Sequence, residues 1–294
     1  MKKNTPSLTA ELAAMMRSVA SRSCTLRKTF DDRYARLFCG IRSKPAFFLN
    51  LFLSLFDPSL TRIKIPMLQV GLLCALIRHR FMENFVISML QKDKSQLVLL
   101  GAGYDTKSLR LKNDCVRIFE IDHPLTQRRK LSILKKNKLI TSDTCYISCN
   151  LTNENPGEYL KVNGIDRNVP IVVVAEGVLS YFQKSRISEL IEDIGSLGND
   201  VSLIFDYRQP LSGELHSAKS WYKQFKNKGE QYLGLFTKDE MDQLLDKKGF
   251  TTDSASDLFD IAKQFLPTFS AIDLKGSSEI RTVSKKSSVR LIHE

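Results

Sequence analysis

The stretch Leu97-Val98-Leu99-Leu100-Gly101-Ala102-Gly103-Tyr104-Asp105-Thr106 decides the fold, because an apolar run enters a glycine-bracketed bend and leaves it into a helix. Four consecutive apolar residues suit a strand buried on both faces, as a parallel sheet covered by helices requires. Gly101 permits the tight turn, and Gly103, across Ala102, removes a side chain so that the main chain can approach a ligand. In a doubly wound sheet, the crevice beyond the C-terminal end of such a strand receives a nucleotide-like cofactor.

Downstream, short apolar runs alternate with segments long enough for crossover helices, which predicts five parallel strands at Leu97–Leu100, Val116–Ile121, Thr144–Ser148, Ile171–Ala175 and Val201–Phe205. Helices follow at Ser212–Lys226 and Lys238–Lys248, then a strand from Phe250; beyond Phe259 the pattern reads as irregular or edge structure. Upstream, Leu8, Leu12, Met15, Met16 and Val19 recur at helical spacing, as do Leu68, Leu72 and Leu76, with no strand pattern before about residue 92. The expectation is an α/β, Rossmann-like domain with a mostly parallel central sheet over 93–294. A helical N-terminal extension over 1–92 would form a cap and acceptor-side wall.

The second strand ends in Glu120-Ile121-Asp122, and Asp122 follows Gly103 by 19 positions. That matches the interval of about 20 residues at which an acidic side chain meets a ribose diol. The third glycine of a dinucleotide fingerprint would stand at position 106, where this chain has Thr106. S-adenosylmethionine has no pyrophosphate and needs no phosphate cradle, so the departure favours a sulfonium cofactor over NAD.

At this point the chain resembles the leucine carboxyl methyltransferase family, including its bacterial members of the small-molecule and polyketide type. Phe30-Asp31-Asp32-Arg33-Tyr34-Ala35 is similar to FxDPYA, Arg78-His79-Arg80-Phe81-Met82-Glu83-Asn84 to RTRFFDD, and Leu100–Thr106 to LGAGxDT. Phe119-Glu120-Ile121-Asp122-His123-Pro124 resembles FExDxP, and Ala175-Glu176-Gly177-Val178-Leu179-Ser180-Tyr181-Phe182 resembles AEGVLxYL. Gly229-Glu230, Gly234-Leu235 and Gly249-Phe250 extend the likeness, which covers about residues 10 to 255.

The resemblance implies a class I methyltransferase with S-adenosyl-L-methionine as cofactor. Arg78 would hold the methionine carboxylate, which suits a guanidinium fork, and Glu176 the amino group. Asn150-Leu151 stands where the family has Asp-Leu beside the adenine; an amide both accepts and donates there without the negative charge. With Gly101, Ala102, Gly103, Asp105, Glu120 and Asp122 these make the expected cofactor-binding set. Arg33 replaces the family's proline, and Glu83-Asn84 replaces paired aspartates.

Methyl transfer to oxygen is an in-line displacement to which an enzyme contributes by holding the reacting atoms about 3 to 3.5 Å apart and aligned. A carboxylate acceptor needs no base; for a hydroxyl acceptor His79, His123, His216 and Tyr181 are candidates, and the sequence assigns the role to none. The acceptor stays open between a small acid, a polyketide and a protein C-terminus. Phe47-Phe48-Leu49-Asn50-Leu51-Phe52 lines an acceptor pocket, forms a lid or simply packs on the sheet. Two other classes remain: an NAD-dependent oxidoreductase using the same crevice, and a catalytically silent partner-binding protein on a methyltransferase fold.

Composition narrows the partners. The chain has 294 residues, 43% of them apolar, and 44 Lys and Arg against 32 Asp and Glu give a net charge of +12. Its basic clusters, Arg128-Arg129-Lys130, Lys135-Lys136 and Lys285-Lys286, are not interleaved with aromatics, so no nucleic acid is expected. Cys24, Cys39, Cys74, Cys115, Cys145 and Cys149 form no CxxC pair, which argues against a disulfide framework or zinc module and for a reducing, cytoplasmic setting; no metal is expected. Glu11 and Arg17 interrupt any signal-peptide core, and Ala46–Phe56 is roughly half the ~20 residues that a membrane span needs.

Overall fold

The computed structural model describes residues 6–23, 26–39, 67–90, 95–111, 117–210, 232–265 and 277–286. The expected helix Ser212–Lys226, the segment Ala46–Phe56, His216 and Gly229-Glu230 lie outside these residues, as do the side chains of residues 67–72.

Seven strands, β1 (Gln96–Leu100), β2 (Arg117–Asp122), β3 (Thr144–Ser148), β4 (Ile171–Ala175), β5 (Asp200–Arg208), β6 (Thr251–Asp257) and β7 (Ser278–Lys286), form one sheet. Their order is β3-β2-β1-β4-β5-β7-β6. The first five pair in parallel, and β7 runs antiparallel to both β5 and β6. The fold is therefore α/β and Rossmann-like, with a mostly parallel central sheet.

Period-2 alternation distributes the apolar strand residues to two cores. Val98, Leu100, Phe119, Ile121, Val173 and Leu203 face one side, while Leu97, Leu99, Ile118, Val172, Val174 and Ile204 face the other. On the first side they meet α5 (Pro156–Val162), α6 (Lys184–Gly195) and α7 (Lys238–Lys247). The stripe of α6 is Ile187, Leu190, Ile191 and Ile194, spaced three and four apart. On the second side they meet α2 (Met67–Leu90), through Leu76, Ile77, Met82 and Val86, and α8 (Leu258–Phe265). Each such side chain contributes about 1.5–3 kcal/mol when buried, and a one-residue slip would exchange the two cores, so the register is strongly specified.

The expectation of irregular or edge structure beyond Phe259 is corrected here. β7 is interior, and the edge belongs to β6, whose residues Thr251 to Ala255 are exposed. Only Ile280 and Val283 of β7 are apolar; Glu279 and Arg281 are buried because Arg281 Nε donates to Glu279 Oε1 at 2.6 Å and Tyr207 Oη donates to the same oxygen at 2.8 Å. A strand buried through an ion pair does not read as apolar.

Two further helices frame the first turn: α3 (Lys107–Arg110) and α4 (Pro124–Lys136). From the N-terminal region, α1 (Leu8–Ala20) lies across the same turn. Ser7 caps α1 by accepting from Ala10 N at 3.1 Å, and its own N–H donates to Thr126 Oγ1 of α4 at 3.3 Å. No described helix is long and apolar enough to cross a membrane.

Candidate functional site

The chain leaves β1 toward β2 and β3 on one side and returns to β4 on the other, so the C-terminal ends of β1 and β4 flank the point where strand order reverses. Gly101 follows β1 there, and Glu176 follows β4. Gly101 has φ +66°, and a Cβ on it would lie 2.4 Å from Val178 Cγ2, so both conformation and space require glycine. Gly103 has φ +50°, and its missing side chain lets Ala10 of α1 approach, 3.0 Å from where a Cβ would stand.

Ala102 N donates to Ile121 O at 2.9 Å, carrying the β1–β2 ladder one residue into the bend. Gly103 N then donates to Asp122 Oδ2 at 2.6 Å, and His123 N to Asp122 Oδ1 at 2.7 Å. Burial pushes the Asp122 carboxyl above the usual carboxylate value, opposed by these two N–H groups. Each oxygen retains a lone pair for a further donor.

Beyond β4 the charged residues converge. Arg78 Nη1 donates to Asp206 Oδ2 at 3.0 Å, and Asp206 Oδ1 accepts from Gly177 N at 2.6 Å. Arg78 Nε is buried with no hydrogen-bond partner among the described residues, and it lies 3.7 Å from Glu176 Oε1. A buried guanidinium with a spare donor suits an anionic ligand group.

Glu176 Oε2 is already engaged, by His79 Nδ1 at 2.9 Å and Lys107 Nζ at 3.0 Å. Arg110 Nη2 lies 3.2 Å from His79 Nε2, and Lys107 Nζ lies 3.2 Å from His79 Nδ1, so a cationic donor stands beside each ring nitrogen. Burial lowers the His79 pKa and the Lys107 ammonium lowers it further, so the ring is neutral at neutral pH. Burial would raise the Glu176 and Asp105 carboxyls, but the Lys107 ammonium holds both below the ordinary range, helped at Glu176 by the hydrogen bond to His79.

Lys107, fully buried, also donates to Asp105 Oδ2 at 2.7 Å. The ligand atoms of His79, Asp105 and Glu176 lie within 4.8 Å of one another, a spacing that would suit a metal ion. The Lys107 ammonium touches all three, at 3.2 Å for His79 Nδ1, and serves as their cation.

Thr106, at the place of the third fingerprint glycine, has a use of its own: its hydroxyl donates to Asp32 Oδ2 at 2.6 Å. Asp32 also accepts from Arg17 Nε at 2.9 Å and from the N–H groups of Tyr34 and Ala35 at 3.1 Å. Arg17 Nη2 in turn donates to Tyr104 O at 2.6 Å, which fastens α1 to the turn. Of the family departures, Glu83 is buried and pairs with Arg80 and Arg110, while Asn84 and Arg33 are exposed.

Of the sequence-expected residues, Gly101, Ala102, Gly103 and Asp122 share the β1–β2 bend, and Arg78, Glu176 and Asp105 share the charged cluster beside it. Glu120 is not brought there: it is fully buried, with Lys130 Nζ 2.5 Å from Oε2 and Ser108 Oγ donating to Oε1 at 2.5 Å. Asn150 and Leu151 follow β3, one strand further out. The Asn150 Oδ1 accepts from Thr152 N at 3.2 Å, and Leu151 O accepts from Arg186 Nε at 2.8 Å.

Among the candidate bases, His79 is locked in the cluster. His123 caps α4 by accepting from Leu125 N at 3.3 Å, and Tyr181 packs against Tyr232 with ring centroids 5.4 Å apart. Sequence reading missed Asp206, Lys107, Arg17, Asp32 and Arg110. Asp206, at the end of a strand predicted to stop at Phe205, was the one within reach, since an acidic residue there ends a strand beside the same crevice.

Residues 10–195 match the leucine carboxyl methyltransferase family, and the chain belongs to it. It is 29% identical over 127 residues to a protein of Frankia alni named as a candidate S-adenosyl-L-methionine-dependent methyltransferase, a match covering 42% of this chain and 44% of that one. A Bacillus subtilis (strain 168) protein of the same description is 27% identical over 286 residues, covering 88% of this chain and 93% of the relative. The Frankia match thus spans less than half of that relative's length. Among solved structures, the chain is similar to the magnesium protoporphyrin IX methyltransferase of Synechocystis PCC 6803 with bound S-adenosylhomocysteine. That likeness has TM-score 0.49 and 12% identity and covers 74% of this chain and 87% of that one.

Proposed function

We propose that this protein is an S-adenosylmethionine-dependent methyltransferase that methylates an oxygen, a carboxylate or a hydroxyl, of a small molecule. The observation that carries the reading is the Gly103–Asp122 hydrogen bond of 2.6 Å, which joins the glycine bend to the carboxylate that we assign to the ribose. Family membership and the names of its relatives support the methyltransferase part of the reading.

The residues present suit this cofactor in three respects. Asp122 retains acceptor capacity for a sugar diol. Arg78 offers its unpartnered Nε to the methionine carboxylate, and Glu176 keeps Oε1 clear of the His79 and Lys107 contacts for the amino group. Asn150 and Leu151 are assigned to the adenine, where the amide both donates and accepts. Glu120, tied to Lys130 and Ser108, steadies the strand that presents Asp122 rather than touching the ligand.

When bound, the cofactor supplies an electrophilic methyl group on sulfur. What the chain contributes is placement: the guanidinium and two carboxylates fix the nucleoside and the amino-acid end, and α1 closes over the bend to keep water away. We take the N-terminal region, residues 1–92, as the acceptor-side cap, supported by the Arg17–Tyr104 bond and the approach of Ala10 to Gly103. No side chain is assigned as general base, in keeping with a carboxylate acceptor that is ionised at neutral pH.

Calorimetric titration with S-adenosylmethionine, S-adenosylhomocysteine and NADH tests the reading. Binding of the first two and not the third is expected. Binding of NADH alone would support an oxidoreductase, and binding of none a silent partner-binding protein. Incubation of the protein with labelled S-adenosylmethionine and cell extract then identifies the acceptor by what takes up the label.

A further inference from the structure

We infer that Asp206 is a positioning residue: it holds the Arg78 guanidinium toward the amino-acid end of the cofactor and so makes the site select ligands that carry a carboxylate. The inference rests on the methyltransferase reading and extends it to a residue that no motif of the sequence supplies.

Asp206 lies on β5 and is 1% exposed. Its carboxylate makes two contacts with distinct consequences. Oδ1 accepts the N–H of Gly177 at 2.6 Å, which pins the bend after β4 in its left-handed conformation, φ +65°. Oδ2 accepts from Arg78 Nη1 at 3.0 Å. Gly177 is also where the guanidinium passes: a Cβ there would lie 2.7 Å from Arg78 Nη2. One buried carboxylate therefore joins three elements, α2, the β4 bend and β5, around a single guanidinium.

Pairing one end of the fork with Asp206 leaves Nε as the buried donor without a partner. A guanidinium that had to find its own orientation would lose side-chain entropy on each binding event; one already clamped presents its spare donor at no such cost. Only a ligand with an anionic group at that place gains from the arrangement. A nucleoside without the amino-acid arm gains nothing.

The test compares two ligands on the full chain. S-adenosylhomocysteine carries the carboxylate; 5′-methylthioadenosine has the same adenosyl and thioether parts without it. Asp206→Asn keeps an acceptor for Gly177 N but sets an amide or a neutral oxygen against Arg78. It should weaken S-adenosylhomocysteine binding by about tenfold or more, the loss expected of one charge-assisted contact, while 5′-methylthioadenosine affinity stays at the parent value. Arg78→Lys should show the same selectivity, and Asp206→Asn should add little in that background.

Equal losses for both ligands would reduce Asp206 to a structural role and overturn the inference, and so would no loss for either. If the parent protein binds neither ligand, the methyltransferase reading itself falls, a result separate from either of these. Should Asn at this buried position prevent folding, Asp206→Ser, a smaller neutral acceptor, is put through the same two-ligand comparison with the same outcomes.

Discussion

The main-chain N–H of Gly103 donates to the Oδ2 of Asp122 at 2.6 Å, so the bend after β1 and the carboxylate ending β2 are parts of one structure. The carboxylate orders the bend, and the bend orients the carboxylate. Both lie at the point where strand order reverses, and this relationship sets the first expectation.

Asp122→Ala should weaken S-adenosylhomocysteine binding about ten- to a hundredfold, since hydrogen bonds to a charged group contribute roughly 1.5–3 kcal/mol. Calorimetry at a temperature well below the melting transition separates this from instability. Unchanged affinity would remove Asp122 from the partners of the sugar.

Gly101→Ala should cost about 1–3 kcal/mol from backbone strain alone at φ +66°, with a further loss from the methyl placed 2.4 Å from Val178 Cγ2. Denaturant unfolding measures the total. Adding Val178→Ala should recover the steric part and leave the backbone part; full recovery would show that the left-handed conformation is not needed.

Lys130→Met should destabilise by about 3–5 kcal/mol, because it strands the Glu120 carboxylate in a fully buried site. Burial already raises the Glu120 pKa, so proton uptake will offset part of that loss. The double change Lys130→Met with Glu120→Gln should restore much of it. Cofactor affinity of the folded single variant should match the parent; a selective loss would return Glu120 to the binding set.

Acid should destabilise the cluster in two stages. His79 has a folded pKa below its ordinary 6.5, so the unfolded chain takes up that proton first and stability declines as pH falls from 6.5. Asp105 and Glu176, depressed below their ordinary 3.8 and 4.5, are fully stabilising above those values and lose their contribution as pH falls further. Glu120 and Asp122, raised by burial, act in the opposite sense, and their window lies above their ordinary 4.5 and 3.8, where stability rises as pH falls toward those values. Thermal melts of His79→Gln should lack the first stage, whose slope is at most about 1.4 kcal/mol per pH unit; an unaltered profile would place the titrating group elsewhere.

The sheet was legible in the sequence because β1 and β4 are nearly all apolar and β2, β3 and β5 each carry a short apolar run, and such runs between crossover segments have few other uses in an α/β chain. Gly101, Gly103 and Asp122 were legible through spacing. Lys107 and Asp206 were not: a fully buried lysine and a strand-end aspartate look in sequence like any charged residues, and only their partners explain their burial. Glu120 shows the reverse, since its motif suggested a ligand contact and its geometry makes it the partner of Lys130. β7 escaped for the same reason, its interior positions being filled by Glu279 and Arg281 rather than by apolar side chains.

What the sequence determined by itself was the run of five parallel strands, the glycine bend and the family, all properties carried by neighbouring residues or by fixed intervals along the chain. Which charges meet was decided by tertiary structure alone. Arg78 lies 128 positions from Asp206, and Lys107 lies 69 from Glu176. Coulombic pairing depends on separation in space and on the exclusion of water, and neither is encoded at any one position until the sheet has closed the distance.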